Sequence, residues 1–186
     1  LLEAAMTNGN CQIMLAGRKG RCVRFDENDA RPLGRTASGV RGINIDEDDE
    51  VIGMVCYDPT AEDAASHNIL VVSEHGYGKR SDVEEYRITN RGGKGVKTLS
   101  ITDKTGDLIA LKDVTDDNDL MIINRSGLTI RMAVADIRVA GRATQGVRLI
   151  NIKDGDAIAA VSAVSKNDEE RSEESVSSES NASSGE

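Results

Sequence analysis

The segment of the chain best suited to chemistry is Arg91-Gly92-Gly93-Lys94-Gly95, two cations set among three glycines. Glycine leaves the backbone bare, so its N–H groups can approach an anion closely while Arg91 and Lys94 supply charge. That combination suits phosphate. The Gly-x-x-x-x-Gly-Lys-Ser/Thr spacing of a nucleotide-binding loop is absent. A plain flexible loop is the competing reading. Other cations recur at matched places: Arg24, Arg80 and Arg131 form one set, Arg35, Arg91 and Arg142 a second, and Arg41, Lys97 and Arg148 a third. Lys79, next to Arg80, joins them. Equivalent cations on stacked repeats make a stripe whose spacing suits the phosphates of a bent duplex. The rival reading is a set of solvated strand residues that balance acidic turns.

No constellation for catalysis accompanies them. Tyr57, Tyr77 and Tyr86 lie in strand or turn contexts without a flanking base or metal ligand, and are assigned to structure. Cys11, Cys22 and Cys56 lack metal-ligand spacing with each other or with His67 and His75, and read as reduced thiols packed as small hydrophobes. The acidic runs lack the pattern of a calcium loop, so no metal site is expected.

What must position the cations is a repeat. Three segments align on their glycines, with the same 19 residues from Gly20 to Gly39, Gly76 to Gly95 and Gly127 to Gly146. The period is 56 residues and then 51, the longer one explained by the polar insert from Thr60 to Ser66. Each unit reads as four short strands, because Ile-, Val- and Leu-rich runs are bounded by Gly, Asn, Asp or Ser. Gly20, Gly76 and Gly127 stand where a hairpin turn needs positive φ. Four-stranded antiparallel units repeated at this length imply an all-β fold of propeller-like blades, here a partial ring. The expected limits are the end of a preceding blade at 1–6, blades at 7–62, 63–115 and 116–165, and a disordered acidic tail at 166–186. The chain starts Leu1-Leu2-Glu3 and is read as a piece of a longer protein with upstream blades.

A net charge of −9 argues against nucleic acid until it is divided along the chain. Seven acidic and two basic residues fall from Lys166 onward, leaving 25 acidic and 21 basic before it. In that body the acids cluster in short runs such as Asp46 to Glu50, while the bases sit among alternating hydrophobics, so one face can be positive. No apolar run reaches the roughly 20 residues of a membrane span. A cytoplasmic protein is expected.

The repeats resemble the C-terminal domain of the DNA gyrase A subunit over residues 1 to about 165. That family carries a Gln-Arg-Arg-Gly-Gly-Lys-Gly box in its first blade; Arg91 to Gly95 match it, Thr89 and Asn90 depart from it, and Gly34 to Gly39 and Gly141 to Gly146 look like degenerate copies. The best match lies in the second unit and is read as a later-blade variant. The resemblance implies a β-pinwheel, a six-bladed disk whose basic rim wraps double-stranded DNA so that an ATP-dependent type II topoisomerase introduces negative supercoils. It also implies an A2B2 assembly on the chromosome, formed with the gyrase B subunit, in which this piece joins the rest of the A subunit. The catalytic tyrosine, ATP and Mg belong elsewhere in that enzyme, and no cofactor is expected in this chain. The DNA-binding set is then Arg24, Arg35, Arg41, Lys79, Arg80, Arg91, Gly92, Gly93, Lys94, Gly95, Lys97, Arg131, Arg142 and Arg148. Removing Arg91 or Lys94 is expected to lower the salt slope of duplex binding by about 1. The equivalent domain of topoisomerase IV and a propeller-like module without a DNA role are the alternatives.

Overall fold

A computed structural model describes residues 1–166; the tail after Lys166 lies outside the described residues. In chain order the strands are β1 (Gln12–Gly17), β2 (Arg21–Asp26), β3 (Val51–Tyr57), β4 (Asn68–Ser73), β5 (Tyr77–Asp82), β6 (Val96–Lys97), β7 (Leu108–Val114), β8 (Asn118–Asn124), β9 (Thr129–Ala133), β10 (Val147–Arg148) and β11 (Ile158–Ser165). All strand pairings within the sheets are antiparallel. Among the described residues, helix is confined to four single 3₁₀ turns, Glu27–Asp29, Ala64–Ser66, Val83–Glu85 and Val134–Asp136.

Each unit opens with a hairpin, β1–β2, β4–β5 or β8–β9. The turn glycines Gly20, Gly76 and Gly127 have φ of +84°, +84° and +87°, a region closed to most side chains. A long strand then returns along the other side of the first one: β3 on β1, β7 on β4, β11 on β8.

The fourth strand is where sequence and structure part. Sequence reading gives each unit four strands of its own. Instead the sheets are ordered β3-β1-β2-β6, β10-β5-β4-β7 and β11-β8-β9. The two-residue strand β6 belongs to the second unit but completes the first sheet, and β10 of the third unit completes the second. The register is Lys97 against Arg21 and Arg148 against Tyr77. Blades are thus laced by strand exchange. The matching residues of the first unit, Val40 and Arg41, form no strand, and neither do residues 1–10, including the segment expected to close a preceding blade. There the Glu3 carboxylate accepts the Met54 N–H at 3.0 Å, beside β3.

The sheets stack face to face. Met14, Ala16, Cys22 and Val55 of the first meet Ile69, Val71, Leu108 and Leu111 of the second, with Tyr86 and Leu99 filling the junction. On the other face of the second sheet, Leu70, Val72 and Ala110 meet Leu120, Ile122 and Ile158. The middle blade is therefore buried on both sides, which explains the unbroken apolar run Ile69-Leu70-Val71-Val72 in β4. In β8 the alternation returns: Leu120 and Ile122 are fully buried, while Ile123 is exposed. Cys11, Cys22 and Cys56 are free thiols, and burial pushes the Cys22 thiol up to about 12, which makes it a poor nucleophile.

Candidate nucleic-acid interface

The recurring cations divide into two populations. The first is internal. Sequence reading puts Arg24 and Arg80 on a DNA-facing rim, but both are buried, at 3% and 8% exposure. Arg24 Nη1 donates to the carbonyls of Val83 and Tyr86, each at 2.8 Å, across the blade junction. Arg80 repeats the reach one blade later, Nε donating to the Ile137 carbonyl at 2.7 Å and Nη2 to that of Ala135 at 3.5 Å. Both also anchor within their own hairpin, Arg24 on Gln12 at 2.8 Å and Arg80 on Asn68 at 3.3 Å. Arg131 keeps this partner, donating to Asp119 at 2.8 Å, with its side chain partly exposed. Arg24 and Arg80 tie each blade to the 3₁₀ turn of the next, bonding carbonyls within that turn and at the residue that follows it.

Lys79 is also internal. It is fully buried, and its ammonium donates to the carbonyls of Gly141 at 2.7 Å and Thr144 at 2.9 Å, and to that of Arg142. Burial pushes its pKa down to about 8, while Glu85 opposes the shift. Arg24, Lys79 and Arg80 are thus unavailable to a phosphate, because burying a guanidinium or ammonium requires the very carbonyls they now hold.

The box itself is largely a joint. Arg91 donates through Nε to the Asp29 carbonyl at 3.0 Å and through Nη1 to the Arg41 carbonyl at 2.6 Å. Arg142 does the same one blade on, to Glu85 at 3.1 Å and Lys97 at 2.5 Å. The Gly92 N–H donates to the Gly42 carbonyl at 2.7 Å, and the Gly93 carbonyl accepts from Asn44 at 2.9 Å. A Cβ on Gly95 would collide with the Cys22 carbonyl oxygen, and one on Gly146 would lie 2.5 Å from that of Gly78. Gly95 and Gly146 therefore let one backbone approach another, whereas a Cβ on Gly92 or Gly93 would meet nothing closer than 3.5 Å.

The second population faces outward. Arg35, Arg41, Lys94, Lys97 and Arg148 are exposed. Lys97 lies opposite Arg21 in the strand exchange, and Arg21 bonds the carbonyls of Lys94 at 3.2 Å and Gly95 at 3.0 Å. Three cations so gather at the first junction. At the second, Arg148 lies opposite Tyr77, donates to its hydroxyl at 2.9 Å, and has Lys104 nearby on the same ring. Sequence reasoning missed Arg21 and Lys104, whose partners become visible only once β6 and β10 cross between blades. The acidic turns answer other cations: Arg18 pairs with Glu50 and Asp107, Lys19 with Asp48, and Arg80 with Asp116. Among the described residues no group of three or more His, Cys, Asp or Glu side chains is placed to hold a metal ion, and no helix is long and apolar enough to cross a membrane.

Stacked antiparallel sheets laced by exchanged strands, with cations presented at each junction, define a β-pinwheel repeat protein. The family model described as "DNA gyrase C-terminal domain, beta-propeller" matches residues 12–58, 67–115 and 118–165. The chain is 44% identical over 169 residues to the DNA gyrase A subunit of Staphylococcus epidermidis, covering 91% of this chain and 18% of the relative. It is 42% identical over 183 residues to that of Staphylococcus aureus strain NCTC 8325, covering 98% and 20%. Among solved structures, a DNA gyrase A C-terminal domain superposes with TM-score 0.73 at 22% identity, over 83% of this chain and 50% of that one. The C-terminal domain of a DNA topoisomerase IV superposes with TM-score 0.77 at 22% identity, over 86% and 48%. The chain belongs to the DNA gyrase A family, in its C-terminal domain, and spans about a fifth of the length of those curated relatives.

Proposed function

We propose that this chain is a DNA-wrapping part of the gyrase A subunit, bending duplex DNA along its blade junctions so that the ATP-dependent enzyme introduces negative supercoils. In this reading the whole protein works on the chromosome in the cytoplasm, as an A2B2 assembly with the B subunit. The catalytic tyrosine and the ATP and Mg sites lie outside this chain.

The observation that carries the reading is the third cation set. Arg41, Lys97 and Arg148 occupy the same place in successive units and are exposed, whereas Arg24 and Arg80 are buried and hold the blades together. Cations repeated along one edge can follow the backbone of a curved duplex without reading bases. Smooth bending of 20 to 30 base pairs by 40 to 90° costs on the order of 1–6 kcal/mol, a range that several phosphate contacts can offset. The DNA-facing set is narrowed accordingly to Arg35, Arg41, Lys94, Lys97 and Arg148, joined by Arg21.

The test is duplex affinity against salt. Replacing Lys97 or Arg41 by Ala should weaken binding evenly across sequences and lower the slope of log affinity against log salt by about 0.9 for each lost phosphate. Unchanged slopes for both would remove this edge from the interface. In the full-length parent, supercoiling with ATP is expected. Relaxation without supercoiling would overturn the gyrase reading in favour of topoisomerase IV.

A further inference from the structure

A cavity of about 400 Å³ opens beside the β4–β5 turn, lined by His75, Tyr77, Lys104, Arg148 and Lys153 among others. Tyr77 is buried beneath two cations. The Arg148 guanidinium carbon and Lys104 Nζ each lie 5.4 Å from its ring centroid, and Arg148 Nη2 donates to its hydroxyl at 2.9 Å. Because the phenol oxygen accepts that bond, its own O–H remains available to donate. Lys153 adds a third full charge, and His75 holds the Asp103 carbonyl at 3.2 Å through Nδ1.

Among the described residues none of Lys104, Arg148 and Lys153 is ion-paired. Of the carboxylates in the lining, Asp156 is engaged by Ser126 at 2.8 and 3.2 Å and by the Ala157 N–H at 2.9 Å, and Asp154 is exposed. Cations converging on a neutral phenol repel one another, and an anion between them removes that repulsion. A planar guanidinium, an ammonium and a hydroxyl are together the donor set that recognises a tetrahedral oxyanion.

We infer that the cavity over Tyr77 binds a phosphate group. The source can be a duplex phosphodiester, which rests on the wrapping reading above, or free inorganic phosphate or pyrophosphate, which does not.

The experiment uses the whole chain with pyrophosphate as probe, followed in two-dimensional proton–carbon spectra of the tyrosine rings. The Tyr77 signals should shift and saturate. The double variant Lys104→Ala/Lys153→Ala, both at exposed positions, should weaken pyrophosphate binding about tenfold or more. Lys112→Ala, which removes a charge from β7, should not. Unmoved Tyr77 signals, or an equal loss in Lys112→Ala, would overturn the proposal. Duplex titrations then separate the sources. A salt slope lowered by about 0.9 in the double variant assigns a duplex phosphate. An unchanged slope with lost pyrophosphate binding supports a site for free phosphate. If the unaltered chain binds pyrophosphate but no duplex, the cavity stands and the wrapping reading fails.

Discussion

Replacing Arg24 by Ala separates the two roles open to a repeated arginine. Its Nη1 satisfies the Val83 and Tyr86 carbonyls, each at 2.8 Å, in a side chain only 2% exposed. Leaving a buried acceptor without a donor costs about 1–3 kcal/mol. The Val83 carbonyl still accepts the Tyr86 N–H at 3.0 Å, so the Tyr86 carbonyl is the one that loses its donor and the expectation is about 1–3 kcal/mol. The ion pair with Glu84, whose side chain is 77% exposed, adds little. With a urea slope of about 2 kcal/mol per M, the unfolding midpoint should fall by about 0.5–1.5 M. Arg24→Lys keeps the charge but not the fork that spans two carbonyls, and should fall nearly as far. The salt slope of duplex binding should not change in either variant. A midpoint within about 0.2 M of the parent, together with a slope lowered by about 0.9, would refute the joint and restore Arg24 to the DNA-facing edge.

The same logic revises the expectation for Arg91: Arg91→Ala should loosen the joint to Asp29 and Arg41 and leave the salt slope unchanged, while Lys94→Ala should lower it by about 0.9, both read by duplex titration. Gly95→Ala combines a φ of +71° with a collision against Cys22, and should cost about 2–4 kcal/mol and speed amide exchange across the β2–β6 pair, whereas Gly34→Ala, in open space, should stay within about 1 kcal/mol. His67 lies between Asp113 at 2.8 Å and Asp63 at 3.1 Å; burial disfavours its charged form, but the two carboxylates outweigh burial and hold its pKa above the ordinary 6.5. Its folded pKa being raised, its stabilisation is complete below 6.5 and is lost as pH climbs through the elevated value. The gap in urea midpoint between parent and His67→Gln should therefore be wider at about pH 6 than at about pH 8, and an equal gap would refute the bridge.

Much of the architecture was legible in the sequence. The 19-residue glycine interval, the hairpin glycines and the Ile/Val/Leu runs are properties of neighbouring residues, and backbone sterics and strand periodicity act over such short ranges. The burial of β4 on both faces came from the stacking of the sheets; from the sequence its apolar run reads only as a strand. Nor were the roles of the repeated cations legible. Arg24 and Lys97 each recur in every unit or nearly so, and recurrence alone cannot say whether a cation repeats because each blade meets a duplex or because each blade meets the next blade.

Sequence by itself determined a three-unit, all-β repeat with cations in register, because those features are written in local spacing. Tertiary structure decided which sheet receives Val96–Lys97 and Val147–Arg148, since two-residue strands gain too few hydrogen bonds to choose a neighbour without the packing around them. It also decided which cations see solvent. Arg24 meets carbonyls 59 and 62 residues away and Lys79 meets Gly141 across 62, so burial and bonding at those positions come from the stacking of blades and from nothing in the adjoining chain.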